Sequence, residues 1–167
     1  QFVATAGSKG KVRLWRIEAE TDEGCRLVPC AEQADSFGKG GFLHMARHTI
    51  DRVDVIAVAD AEHNISVLSI DDTTIDNVTI HTNRTIVGHN DDILDLKVIP
   101  DGTDQRIVIA TNSSVVRIFD LTTFAACQVL DLHTATVLCV NVSPCGRFIA
   151  TCGKDKTMRI WHADMCV

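Results

Sequence analysis

The sequence predicts an all-β chain of repeated four-stranded antiparallel units, and three observations predict it. Four segments share one pattern: FVATAGSKGKVRLW, VIAVADAEHNISVL, IVIATNSSVVRIF and FIATCGKDKTMRIW. Each is an apolar alternating run, a tight polar turn and a second run closing on a large apolar residue, the signature of a β-hairpin. The closing residues Trp15, Leu68, Phe119 and Trp161 stand 53, 51 and 42 positions apart, a spacing that marks a repeat. No segment carries a helical period.

The elements follow in order. Residues 1–34 form a first, partial unit with its turn at Gly7–Gly10. Residues 35–87 form a second, degenerate unit with two insertions, one around Asp35–Gly41 with its GKGG turn and one a loop around Asp71–His81. Its fourth strand is RTIV, Arg84–Val87. Residues 88–131 open on the strand ILDLKVI (Ile93–Ile99), turn at Pro100 and Gly102, and end on ACQVL (Ala126–Leu130). Residues 132–167 open on VLCVNV (Val137–Val142) and turn at Pro144 and Gly146 before the last hairpin. Pro and Gly between neighbouring strands are ordinary turn chemistry.

Such units cannot bury both sheet faces alone and must stack around an axis as propeller blades. The expectation is three, four, four and three strands, about three and a half blades of an incomplete β-propeller. A closed seven-bladed ring takes roughly 290 residues. The chain is therefore expected to be a piece of a longer protein or part of an assembly. Two copies would supply about 28 strands, the number in a seven-bladed ring, so a homodimer is one way of completing it.

Composition narrows the function classes. Apolar residues make up 46% and charged residues 23%, as in a folded globular chain. The net charge of −6 gives no general attraction for phosphate backbones, so any RNA contact is expected to be local or indirect. No apolar run reaches the length of a membrane helix, and QFVATAGSKG is not a signal peptide. The seven cysteines lack CxxC spacing and are read as free thiols. Asn64, Asn77, Asn83, Asn112 and Asn141 open N-x-S/T triplets, read as background in a chain rich in Asn, Ser and Thr.

The last unit carries His133, Thr151, Asp155 and Trp161 at the spacing of the WD40 repeat family, which it resembles. The resemblance implies a hydrogen-bonded tetrad of these four side chains with a structural role. In the other units the pattern is degraded. Gly88-His89 is the one literal GH pair, but its unit has Ser113 or Ser114 where Asp is expected and closes on Phe119. The first unit keeps Thr5 and Trp15 with Lys9 at the Asp position, and the second closes on Leu68. A Ser/Thr–His–Asp hydrolase reading is set aside, because a tetrad between strands offers no exposed nucleophile or oxyanion hole. Gly7–Lys11 lacks phosphate-loop spacing, and His44 and His48 fall on a strand without a metalloprotease Glu. No catalytic residue, metal or cofactor is expected.

A wider run, from TAGSKGKVRLW through GHNDDILDLKV and CQVLDLHTATVLCVNV, resembles a WD-repeat subunit of the small-subunit processome over roughly residues 1–18 and 55–162. Residues 20–43 match poorly. That resemblance implies a nucleolar scaffold binding other WD-repeat subunits of a pre-ribosomal complex. The alternatives are a generic WD-repeat adaptor, as in ubiquitin ligation or cytoplasmic signalling, and a secreted or enzymatic propeller. The turn residues Lys9, Asp91, Asp92, Thr134 and Lys154 are candidate partner contacts, since rigid scaffolds carry recognition on their loops.

Overall fold

A computed structural model describes residues 2–20, 24–33, 40–50, 53–74, 77–86, 91–101, 104–121, 123 and 125–163. Among these residues it shows fourteen strands in four antiparallel sheets and no helix. Blade I holds β1 (Phe2–Ala6), β2 (Val12–Glu20) and β3 (Gly24–Glu32). Blade II holds β4 (Phe42–Ile50), β5 (Val53–Asp60), β6 (Ile65–Thr74) and β7 (Asn77–Ile86). Blade III holds β8 (Ile93–Asp101), β9 (Asp104–Thr111), β10 (Val116–Asp120) and β11 (Ala126–Leu130). Blade IV holds β12 (Val137–Val142), β13 (Phe148–Gly153) and β14 (Met158–His162). Every strand pairs with its neighbour in sequence, so each blade is a meander. This is the all-β plan of about three and a half blades that the repeat predicts.

Alternation explains the stacking. On β5, Val55, Ala57 and Ala59 join a core with Ile93, Leu96, Ile107 and Ile109 of blade III. The intervening Ile56 and Val58 turn the other way, into a core with Val12 and Leu14 of blade I. On β9, Ile107 and Ile109 face blade II, while Val108 and Ala110 pack with Val137, Val140 and Ile149 of blade IV. A strand buried on both faces reads as a continuous apolar run, as VIAVA and IVIA do. Each fully buried Val, Leu or Ile contributes roughly 1.5–3 kcal/mol, so the three inter-blade cores hold the stack together. The first strands gather, with β8 packed against both β4 and β12. Each carries a β-bulge near its start, at Phe42/His44, Ile93/Asp95 and Val137/Cys139.

Blade IV differs in burial. Ile149 and Thr151 are fully buried toward blade III, but Phe148, Met158 and Ile160 are 45%, 65% and 66% exposed. By pairing register, Ala150, Cys152, Met158 and Ile160 occupy the positions held in blade III by Val108, Ala110, Val116 and Ile118. Those four are wholly buried under blade IV.

Three sequence expectations need correction. The Asp71–His81 insertion is not a loop: β6 runs on to Thr74 and β7 starts at Asn77, so the added residues lengthen a hairpin whose strands stay paired. Consequently RTIV is only the end of a longer strand, and Val87 lies outside the described residues. Pro100 is no turn residue but a member of β8 opposite Gln105, and Gly102 lies outside the described residues. At the other insertion residues 35–39 also lie outside, while Gly40 and Gly41 adopt positive φ. A Cβ on Gly41 would stand 2.5 Å from the Ser8 Cα, so glycine lets the backbones of blades I and II meet.

Candidate functional site

The local chemistry concentrates at the β13–β14 turn. Gly153 and Thr157 close this hairpin, and Lys156 takes the left-handed conformation at φ 63°. Gly10 (φ 67°) and His63 (φ 65°) hold the same register position in blades I and II, so three turns share one backbone shape. This shape aims the Asp155 carboxylate back at the segment entering β12.

The structure brings His133, Thr151, Asp155 and Trp161 together. His133 Nδ1 lies 2.7 Å from Asp155 Oδ2 and its Nε2 lies 2.7 Å from Thr151 Oγ1. The Trp161 indole donates to the same hydroxyl at 2.9 Å. With Nδ1–H given to the carboxylate, Nε2 accepts the Thr151 proton and the Thr151 oxygen accepts the indole N–H, so no polar atom of the three buried partners is left without a bond. His133 is 4% exposed and Thr151 is fully buried, which makes complete pairing a requirement. Asp155 also accepts from the Thr134 and Thr157 amides and the Thr157 hydroxyl. Burial works to raise its carboxyl, but the Thr157 amide, His133, the Thr157 hydroxyl and the Thr134 amide outweigh it and hold it far below the usual range. Gly153 leaves room for the network, since a Cβ there would press within 3.1 Å of both Asp155 Oδ1 and His133 Nδ1.

These bonds tie the β13–β14 turn to β13, to β14 and to the segment entering β12. The Thr151 hydroxyl has no exposed surface and both its neighbours are committed, so it reaches no substrate. Among the described residues no group of three or more His, Cys, Asp or Glu is placed to hold a metal ion.

The other blades rely on packing where the network is missing, as their degraded pattern predicts. In blade II the Thr and Trp positions are Val58 and Leu68, both fully buried in the core with blade I. In blade III they are Ile109 and Phe119, packed in the core with blade II. Exchanging both hydrogen-bonding partners for apolar groups leaves nothing unsatisfied. Turn closure survives separately. Asp60, 4% exposed, accepts from the Glu62 and Asn64 amides and the Asn64 side chain, and Ser113 accepts from the Val115 amide. Asp60 sits two positions before the family's Asp, where a search for the motif passes over it; the signal was the D-x-x-x-N spacing of an Asx-type turn. In blade I, Trp15 donates to Thr5 at 2.9 Å, and Lys9 occupies the Asp position. Gly88 and His89 lie outside the described residues.

The candidate turn residues share one rim. The Lys154, Asn112 and Ala61 amides donate to the Thr136, Asp92 and Gly41 carbonyls, the same bond in three successive blades. Phe42 and Val137 donate across to Gly7 and Ser113 of the preceding blade. Lys9, Asp92, Thr134 and Lys154 are exposed there and Asp91 is half-buried. Asp92 also stands 3.5 Å from His63 of the neighbouring blade. Beside Lys9 a cleft of about 280 Å³ is lined by Thr5, Ser8, Lys11 and Arg13. Glu32 engages both Lys11 and Arg13, and these contacts pull its carboxyl down to about 2.

Comparison with known proteins extends the picture. Residues 125–162 match the family described as WD domain, G-beta repeat. The chain is similar to Transducin beta-like protein 3 of Homo sapiens, at 30% identity over 99% of the chain and 19% of the relative. It is 28% identical to the Mus musculus protein of that name over 94% of the chain and 18% of the relative. Protein HIR1 of Cryptococcus neoformans is 29% identical over 97% of the chain and 19% of the relative. The chain thus spans about a fifth of the length of these curated relatives.

Proposed function

From a chain that is a stretch of WD40-type β-propeller, we infer a non-catalytic scaffold that mediates protein–protein assembly, in small-subunit ribosome biogenesis. The observation carrying this reading is the reach of the likeness to Transducin beta-like protein 3. It runs along 99% of the chain, through the blades that have lost the tetrad as well as the one that keeps it. The stitched rim supports the scaffold part of the reading, because its turns are held rigid by backbone bonds while Lys9, Asp92, Thr134 and Lys154 stay exposed. Partners are other WD-repeat subunits of a pre-ribosomal complex, and the working location is the nucleolus. The buried Thr151 supports the absence of hydrolase chemistry at the tetrad.

A generic WD-repeat adaptor is the second reading. The comparable reach of the likeness to Protein HIR1, along 97% of the chain, favours it, since two differently named relatives then share the blades rather than a partner. Self-association is a third element. The exposed face of blade IV matches by register the face blade III buries, and Val3, Thr5, Trp15 and Ile17 of blade I match Ile149, Thr151, Trp161 and Ala163, which blade IV turns toward blade III. With three-stranded sheets at both ends, a two-copy ring would hold eight blades rather than seven.

Affinity capture of the full-length protein, with imaging of its location, tests the reading. Nucleolar signal and recovery of pre-ribosomal WD-repeat proteins are expected. Recovery of an unrelated complex from another compartment would replace it with the adaptor reading.

A further inference from the structure

The bulge position of each first strand places one residue pair at the same register: His44 opposite Ala59, Asp95 opposite Ala110, and in blade IV Cys139 opposite Cys152. Directly paired residues of antiparallel strands point to one face, with Cα atoms about 4.5–5.5 Å apart. That separation lies within the Cα range of disulfides, about 4.4–6.8 Å. Both thiols are free and exposed. Among the described cysteines no other two are paired across strands: Cys25 stands opposite Ala19, and Cys30 and Cys127 fall at the register shifts of their own hairpins.

We propose that Cys139 and Cys152 are a thiol-modification site, closing to a reversible cross-strand disulfide when a small disulfide such as oxidised glutathione is present. The order of events follows from the surroundings. Burial and the Asp95 carboxylate push the Cys139 thiol up, so it is assigned the second attack. The Cys152 thiolate attacks one glutathione sulfur, and the first glutathione leaves as its thiolate. The Cys139 thiolate then attacks the Cys152 sulfur, forming the intramolecular bond and expelling the second glutathione. The protein loses two electrons and two protons, and oxidised glutathione takes them up as two thiols. The new bond fastens β12 to β13 beside the bulge and draws the Cys139 sulfur from Asp95, whose Oδ2 accepts the Val140 amide at 3.1 Å. An exposed cross-strand bond of this kind is readily reduced, which suits a switch rather than a permanent staple.

Cys145 provides an internal control. It is exposed and its thiol is drawn down to about 7 by Ser143 and Arg147, but among the described residues no cysteine is paired with it. The whole chain is treated with oxidised glutathione under native conditions, remaining thiols are blocked, and tryptic peptides are weighed; cleavage after Arg147 separates Cys139 from Cys152. The expected product is the two peptides joined with loss of two hydrogens, released by dithiothreitol, and glutathione retained on Cys145. The joined species should persist in Cys145→Ser and in Cys127→Ser and vanish in Cys139→Ser. Glutathione retained on Cys152 with no joined peptide, or joining that survives Cys139→Ser, overturns the proposal. Circular dichroism of each variant reports whether it is folded.

Discussion

A single carboxylate shows how the last turn depends on its surroundings. Asp155 is held far below the ordinary carboxylate range by the Thr157 and Thr134 amides and by His133, against the opposing effect of burial. A folded-state pKa below the unfolded value of about 3.9 means its contribution is complete above that value and is lost as pH falls toward the folded one. Urea midpoints taken from pH 7 downward should therefore fall in the acid range, and Asp155→Asn should be less stable at pH 7 with a shallower acid slope. An unchanged slope would remove Asp155 from the account. Glu32 acts with the same sign between about 4.5 and about 2, so Glu32→Gln belongs in the same series. The tetrad residues were legible because their spacing is a motif of residue types. Asp60 was not, because it does comparable turn-closing work from a different position.

At the level of strands, alternation was legible and length was not. The VIAVA and IVIA runs announce strands buried on both faces, and β5 and β9 are such strands. The Asp71–His81 composition suggests a loop because Asp, Thr and Asn are turn formers, yet cross-strand pairing from Asp71–Thr79 to Thr74–Asn77 keeps its described residues in strands. Pro100 suggests a turn on the same grounds of residue type. It lacks only an N–H, and the strand end tolerates that. Ile118 and Ile160 occupy one register position in successive blades, the first fully buried and the second 66% exposed. Ile118→Ala should cost about 2–5 kcal/mol and Ile160→Ala under about 0.5 kcal/mol, measured by denaturant unfolding. Equal costs would mean that the face of blade IV is covered.

At the largest scale the described residues form a stack of four sheets joined by three apolar cores and a rim of repeated backbone bonds. Repetition made this architecture legible, since the period appears in the chain before any residue is placed. Which surface recognises a partner was not legible, because exposed turn residues leave no periodic trace. The rim turns remain the proposed contact surface, and their substitution should spare the cores beneath. The most direct measurement is partner capture by full-length protein carrying Lys9→Glu and Lys154→Glu, with thermal unfolding in parallel. The account predicts a loss of captured protein at an unchanged midpoint. Undiminished capture by a folded variant would contradict it.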